Sequence, residues 1–193
     1  MSKHTLALAL TAALTVSTLP FAASAAGQAV DLAKSEIGFT AKQMGVPLQG
    51  QFGKFDAQMA FDPAKPETGK VSFSIDLGSA RLGSAETEAE LVKAEWFNTA
   101  KFPRATFQST AIKASGPNKF DVTGKLTIKG QSRDVVVPVT LAAAGAQQSI
   151  ATGGFAMKRL DFKIGDGDWT DTSIVANDVQ VKFKLQLQGV AAR

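Results

Sequence analysis

The stretch of sequence that decides the fold reads Val179-Gln-Val-Lys-Phe-Lys-Leu-Gln-Leu-Gln188. An apolar side chain at every second position, with glutamine or lysine between, gives the period-two pattern that predicts a β-strand. Such a strand has one buried face and one solvated face, which is typical of antiparallel sheets. The C-terminal part of the chain therefore predicts an all-β fold.

Further segments along the chain have the same alternation. It is clear in residues 37–41, 55–61, 71–77 and 120–128, and weaker in residues 105–113, 133–143 and 149–157. Together with the C-terminal segment they make about eight strands, enough to close a barrel that is filled by side chains or holds one small ligand. Closure also removes exposed sheet edges. We therefore predict a single antiparallel eight-stranded barrel.

Residues 84–95 interrupt the strand pattern and predict one short helix. Ser84 is a suitable N-cap, and the glutamates that follow it place negative charge near the positive end of the helix. Trp96, Phe97 and Phe102 come directly afterwards. We expect the helix to close or flank the mouth of the barrel, with these aromatic side chains either completing the core or lining the mouth.

The N-terminal residues have the composition of a secretory signal peptide. Lys3 and His4 form a short positive region, residues 6–16 are mostly apolar, and Ala23-Ser24-Ala25 is a small-x-small cleavage site. No cysteine stands at the cleavage point, which excludes a lipoprotein anchor. We expect residues 1–25 to be removed and residues 26–193 to form one domain in the periplasm.

The mature chain lacks the side chains that most catalytic and metal sites need. The full chain has no cysteine and no tyrosine, and its one histidine, His4, lies in the predicted signal peptide. This composition removes the thiolate nucleophile, the imidazole base, the phenolic acid and the commonest metal ligands. We therefore predict no enzyme activity, no metal and no cofactor. The 21 Lys and Arg residues are scattered and the net charge is only +4, which does not indicate nucleic-acid binding.

Phenylalanine is abundant, with 13 residues, of which only Phe21 falls in the signal peptide. The rings on the predicted inward faces either fill an ordinary core or line a pocket. The absence of tyrosine hydroxyls among them favours a ligand that is recognised by hydrocarbon contact. The candidate ligand-binding aromatic residues are Phe39, Phe55, Phe61, Phe73, Trp96, Phe97, Phe102, Phe120 and Phe183.

The acidic loop at residues 161–171 superficially resembles a calcium loop. Counting from Asp166, the position that needs glycine is Asp171, and the twelfth position, which needs glutamate, is Asn177. The EF-hand template therefore fails, and we expect a solvated acidic turn. The alternative is a pair of catalytic carboxylates in this loop that acts on a lipid or a sugar.

Five short segments, in this order and spacing, give the chain a resemblance to a known family. They are Ser35-Glu36-Ile37-Gly38-Phe39, Gly50-Gln51-Phe52-Gly53-Lys54-Phe55, residues 95–107, residues 122–130 together with Arg133-Asp134-Val135, and Arg159-Leu160-Asp161-Phe162. Over roughly residues 28–190 the chain resembles the YceI-like family of periplasmic lipid- or polyisoprenoid-binding domains. The resemblance implies an elongated eight-stranded barrel similar to the lipocalins, with a long isoprenoid or another amphipathic chain in an apolar tunnel.

The chain departs from that family pattern at two places. Glu88-Ala89-Glu90-Leu91 stands where relatives tend to have a more basic or histidine-containing stretch. Lys163 stands where a glycine is common after the Asp-Phe pair. The first departure affects head-group contacts from the helix, and the second affects the local turn.

These observations predict a non-enzymatic periplasmic carrier of a long apolar molecule, such as an isoprenoid quinone or a polyprenyl lipid. Arg159, followed by Arg104 and Arg133, is a candidate to contact a polar or phosphorylated head, although each arginine could instead brace a loop or lie on the surface. Besides the enzyme, a ligand-free partner module of a membrane redox protein remains an alternative. We expect at most transient contact with the inner membrane or with such a redox protein.

Overall fold

The computed structural model describes residues 27–192 as one strongly curled antiparallel sheet with one short α-helix. The predicted signal peptide, residues 1–25, lies outside the described residues. The strands are β1 Ala29–Gln43, β2 Val46–Phe52, β3 Phe55–Ala60, β4 Lys70–Asp76, β5 Ala80–Arg81, β6 Arg104–Gly116, β7 Lys119–Ile128, β8 Gln131–Gly145, β9 Gln148–Lys158 and β10 Asp178–Gln188, and the helix is α1 Ala85–Leu91.

The strands form one sheet in the hydrogen-bonded order β3-β4-β6-β7-β8-β9-β10-β1-β2-β5, and every pair is antiparallel. Hairpins join most neighbouring strands, and the sheet winds around its own inner face as a half-barrel. It does not close into the predicted barrel, because the edge strands β3 and β5 do not pair with each other within residues 27–192. The predicted all-β class, the antiparallel pairing and the single short helix are confirmed for residues 27–192.

The predicted number of strands was wrong, because the sheet has ten strands and the sequence pattern identified eight. The two additional strands are β2 and β5. Pro47 and Gly50 weakened the pattern of β2, and β5 has only two residues. Proline is tolerated where a strand has no ladder partner on one side. Pro47 pairs with Lys42 of β1 on one side. Its other side is an open edge of the sheet, because β5 pairs with β2 only at Gln51 and Phe52.

The chain changes its pairing partner between β2 and β3. The Gly53 N–H donates to the Ser79 carbonyl at 3.0 Å, and the Lys54 carbonyl accepts from the Asp76 N–H at 3.0 Å. Farther along, the Gln28 side chain bonds both the N–H and the carbonyl of Phe61, each at 2.8 Å. These contacts bring the start of β1 beside the end of β3, which draws the curled sheet around its interior.

The inner face of the sheet is apolar along its whole length, and strand β10 illustrates the alternation. Leu185 and Leu187 are buried, Phe183 is half-buried, and Lys182 and Lys184 are exposed on the opposite face. The predicted register of this strand is therefore confirmed. Phe183 is only half-buried because it borders an internal cavity, described below.

Helix α1 connects β5 to β6 and is shorter than predicted. The Ser84 Oγ accepts from the Thr87 N–H at 3.4 Å, which confirms Ser84 as the N-cap. The helix ends at Leu91, because the chain folds back and the Phe97 N–H donates to the Leu91 carbonyl at 2.9 Å. Within the described part of the chain, no helix is long and apolar enough to span a membrane.

The register of β10 makes a stability prediction. We expect Phe183→Asp to lower the free energy of unfolding by about 3 kcal/mol or more, since it removes a large ring and places a carboxylate on the apolar face. Lys182→Asp is the matched control, because its cross-strand neighbours Gly38 and Gly154 have no side chains. It should change stability by less than about 0.5 kcal/mol. Urea denaturation of both variants measures the difference, and equal losses would contradict the register.

Candidate ligand-binding cavity

A cavity of about 450 Å³ lies inside the curled sheet. Every strand except β5 contributes to its wall, and nearly all of the lining side chains are hydrocarbon. The volume is in the range of small-molecule binding sites, and a predominantly apolar wall is typical of them. The polar lining residues are Gln43, Glu86, Thr87, Glu90 and Arg159.

Those polar residues share one end of the sheet, which we call the helix end. Gln43 is the last residue of β1, Glu86 and Glu90 belong to α1, and Arg159 follows β9. Main-chain contacts hold the connections together there, for example the bridge between Gln43 and Val175. The cavity therefore has one end with polar groups and a long apolar remainder.

Phenylalanine rings line the cavity without filling it because several of them cover glycines of a neighbouring strand. A Cβ built at Gly50 would lie 2.3 Å from Cζ of Phe39, and one built at Gly153 would lie 2.5 Å from Cζ of Phe183. Phe39 pairs with Gly50 and Phe183 pairs with Gly153 across adjacent strands. Each ring thus occupies the place of a missing side chain and leaves the centre of the sheet open.

The structure separates the predicted aromatic residues into two groups. Those that line the cavity are Phe39, Phe61, Phe73, Trp96, Phe97, Phe120 and Phe183. Phe55 and Phe102 are not among the lining residues. Phe55 packs half-buried against the core, and the Phe102 ring lies beside Gly130, 5.4 Å from Nζ of Lys101.

Sequence reasoning missed four further aromatic residues of the wall, which are Phe52, Phe107, Phe155 and Trp169. Phe107 and Phe155 lie in segments whose alternation is weak. Working out which residues of those segments face inwards would have found them. Phe52 was missed together with strand β2. Trp169 follows no strand pattern, and only the fold brings it to the cavity.

Two tryptophan rings pack against each other in a tilted arrangement at the helix end. The ring centroids of Trp96 and Trp169 are 5.3 Å apart, and both side chains line the cavity. The Nε1 atom of Trp96 is buried and has no hydrogen-bond partner among residues 27–192. A buried indole N–H normally finds an acceptor, so this unpaired donor is a candidate to bond an acceptor atom of a ligand.

Arg159 lines the helix end but uses its guanidinium within the protein. The side chain is 2% exposed, and burial lowers its pKa. Its N–H groups donate to main-chain carbonyls at 2.6–3.2 Å, namely those of Ile164, Gly165, Trp169, Val175 and Ala176. All five donors of the guanidinium are engaged. A head group could bond Arg159 only by displacing one of these carbonyls, so the arginine organises the 159–177 loop.

The other two candidate arginines lie away from the cavity wall. Arg104 donates to Asp56 and to Ser74 Oγ, both at 3.0 Å, on the outer face of the sheet. Arg133 is exposed, and its guanidinium carbon lies 5.9 Å from the Phe162 ring centroid. Both arginines therefore lie on the surface or brace neighbouring residues, which was the alternative to contact with a ligand head group.

Lys129 is a second buried cation at the helix end, which sequence reasoning did not identify. Its side chain is 7% exposed, and Nζ donates to the carbonyls of Glu95 and Lys163, at 3.1 and 2.6 Å, and to Asp166 Oδ2 at 3.1 Å.

Lys163 has a φ of 54°, a left-handed conformation that glycine adopts more easily. The turn is therefore the one that a glycine would form, although lysine occupies the position.

The acidic loop uses part of its charge structurally. Asp166 accepts from Lys129, and the hydroxyl and main-chain N–H of Ser173 bond Asp171 and lower the pKa of its carboxyl. A lowered pKa suits a permanently ionised turn better than a general acid. Within residues 27–192 no group of three or more acidic or histidine side chains could hold a metal ion.

The bonding of Arg159 makes a second stability prediction. We expect Arg159→Lys to destabilise the protein by at least about 2 kcal/mol, because an ammonium group has three donors and leaves buried carbonyls unpaired. Arg133→Lys, the same substitution at an exposed site, should be nearly neutral. Thermal unfolding of the two variants measures the difference, and an Arg159→Lys protein as stable as the parent would show that the carbonyl cluster contributes little.

Comparisons with known proteins agree with this architecture. The chain is 35% identical to a UPF0312 protein of Azotobacter vinelandii over 122 residues, which are 61% of this chain and 64% of that relative. The crystal structure of Burkholderia cenocepacia BcnA superposes with a TM-score of 0.79 at 47% identity and covers 82% of this chain and 99% of BcnA.

A more distant structure is a polyisoprenoid binding domain from Saccharophagus degradans implicated in plant cell wall breakdown. It matches with a TM-score of 0.68 at 16% identity, over 84% of this chain and 98% of that domain, which shows a shared fold. The model of the YceI-like domain matches residues 28–187. The chain therefore belongs to the YceI-like domain family.

Proposed function

We propose that this protein is a non-enzymatic periplasmic carrier that holds one long apolar or amphipathic molecule inside the curled sheet. The observation that supports the proposal most directly is the internal cavity of about 450 Å³ with an almost entirely hydrocarbon wall. Burying a ligand chain there contributes about 0.8 kcal/mol per methylene group, so affinity needs no strong polar contact. An isoprenoid chain has the required composition.

The polar groups at the helix end favour a neutral head group. Glu86 and Glu90 would repel a phosphate, and Arg159, the one cation in the wall among the described residues, already bonds main-chain carbonyls. Gln43 and Thr87 are neutral, and Trp96 offers a free buried N–H. An isoprenoid quinone, with carbonyl oxygens and no charge, fits these groups better than a polyprenyl phosphate.

The polyisoprenoid binding named for the Saccharophagus degradans domain supports an apolar chain only as an analogy, because the two chains share 16% identity. The proposal therefore depends on the cavity of this protein. A carrier and a ligand-free partner module differ in one measurable respect, which is whether the cavity is occupied when the protein leaves the cell.

Occupancy is tested by organic extraction of protein purified from its own periplasm. We expect mass spectrometry of the extract to find one apolar molecule in a ratio approaching one per protein. Gly50→Ala should lower this ratio, because the new Cβ would lie 2.3 Å from the Phe39 ring and drive the ring into the cavity. Gly53→Ala is the matched control, since its nearest neighbour is 3.5 Å away. Persistently empty parent protein would contradict the carrier function.

The head-group assignment is tested with Trp96→Phe, which removes the indole N–H and keeps an aromatic ring. We expect a 2- to 10-fold loss of affinity for a long-chain quinone, the usual worth of about 0.5–1.5 kcal/mol for one hydrogen bond, and a smaller loss for squalene, which has no acceptor. Trp169→Phe, at the neighbouring ring, should affect both ligands alike. Equal losses for quinone and squalene in Trp96→Phe would refute a bond from Trp96. Tryptophan fluorescence titration measures all of these affinities.

A further inference from the structure

Three large apolar side chains are exposed together beside the cavity. Met44 is 78% exposed and Val46 is 61% exposed at the turn between β1 and β2, and Ile174 is 38% exposed on the 159–177 loop. The Met44 N–H donates to the Ile174 carbonyl at 2.8 Å, so the turn and the loop are held side by side. We call these three residues the apolar lip.

The turn conformation indicates that folding does not require methionine at its tip. Met44 and Gly45 are the two residues between β1 and β2, with φ values of 49° and 80°. Positive φ at both central positions is the type I′ arrangement, in which asparagine followed by glycine is preferred. Methionine tolerates this region poorly because its Cβ crowds the backbone. The chain thus has an exposed apolar side chain at a position where asparagine would adopt the turn conformation more easily.

The apolar lip is continuous with the helix end of the cavity. Gln43 precedes Met44, Val175 follows Ile174, and Leu48 is two residues beyond Val46, and all three line the cavity. Gln43 and Val175 also pair as an isolated β-bridge. The exposed apolar surface therefore borders the end at which we place the head group of the ligand.

The size and charge of the apolar lip fit a bilayer surface better than another protein. Three side chains fall well short of the surface of about 800 Å² per partner that a stable dimer buries. A few inserted apolar side chains suffice for weak, reversible attachment to a membrane interface. The charged residues whose main-chain carbonyls accept from the neighbouring Val175 and Ala176 are one anion, Asp171, and one cation, Lys42, so the lip needs no strongly charged partner.

We propose that the apolar lip inserts into the interface of a lipid bilayer while the carried molecule enters or leaves the cavity at the helix end. This proposal rests on the proposed carrier function, because it assigns a route to the same cavity. Met44 and Val46 would enter the acyl boundary, while the head group passes between α1 and the β1–β2 turn.

The test uses Met44→Asn, a substitution that suits the left-handed turn and should leave the fold at least as stable. We expect transfer of a long-chain quinone from phosphatidylethanolamine–phosphatidylglycerol vesicles to the ligand-free protein to slow at least about fivefold, as the inserted apolar surface shrinks. Affinity for the same quinone added without vesicles should not change. Met44→Leu, which keeps an apolar side chain at the same position, should transfer quinone at the rate of the parent. Val136→Asn, at a 55% exposed valine outside the cavity wall, should affect neither quantity.

Several outcomes would overturn the proposal. An unchanged transfer rate in Met44→Asn would show that the lip does not contact the bilayer, and an equal slowing in Val136→Asn would show a nonspecific effect. A parent dimer that Met44→Asn dissociates would assign the lip to self-association. If the parent binds no quinone in either format, the quinone assignment fails, and organic extraction of the native protein decides the carrier function. Vesicle co-sedimentation of ligand-free protein then still tests the lip, with binding expected for the parent and loss of binding for Met44→Asn.

Discussion

Phenylalanine rings that cover glycines on neighbouring strands determine what the interior of this sheet can be. A curled sheet of this size normally fills its interior with interdigitating side chains at close to crystal density. Here Phe39 and Phe183 occupy the space above Gly50 and Gly153, so ring surface replaces side chains that would otherwise point inwards. Away from the helix end the wall remains apolar while the centre stays open. Because the ring and the glycine belong to different strands, the cavity depends on correct register, and a one-residue slip would turn the rings to the solvent face.

The helix end depends on a different interaction, the bonding of two buried cations by main-chain oxygens. Removing a guanidinium and an ammonium from water is costly, and the cost is offset only when their donors are satisfied. Arg159 meets this requirement with five carbonyls, and Lys129 does so with two carbonyls and Asp166. The result is a connected set of loops around Trp96 and Trp169. It also leaves the cavity without a free cation in the described part of the chain, so the polar groups that face a ligand are neutral or acidic.

Local periodicity predicted the strands well and the site only in part. The period-two pattern located every long strand except β2, whose proline and glycine break the alternation even though its pairing with β1 is regular. Of the six phenylalanines predicted from inward phase, five line the cavity, and Phe55 does not. Trp96 and Phe97, predicted from their position after the helix, also line it, whereas Phe102 in the same connection does not. The bonding of Arg159 and the burial of Lys129 could not be predicted, because most of their partners are main-chain carbonyls and a carbonyl has no residue-type signature.

An apolar cavity of this kind creates a kinetic problem whose solution must lie outside the cavity. Every ten buried methylene groups contribute about 8 kcal/mol, which lowers the dissociation constant by a factor of about a million. If release required the ligand chain to pass through water, most of that stabilisation would appear as a barrier to dissociation. A second apolar phase at the mouth removes the barrier, because the chain then exchanges one hydrocarbon environment for another. The physical requirement on such a carrier is therefore an exposed apolar surface continuous with its cavity. In this chain that surface is formed by Met44, Val46 and Ile174, bordered by Gln43 and Val175 of the wall.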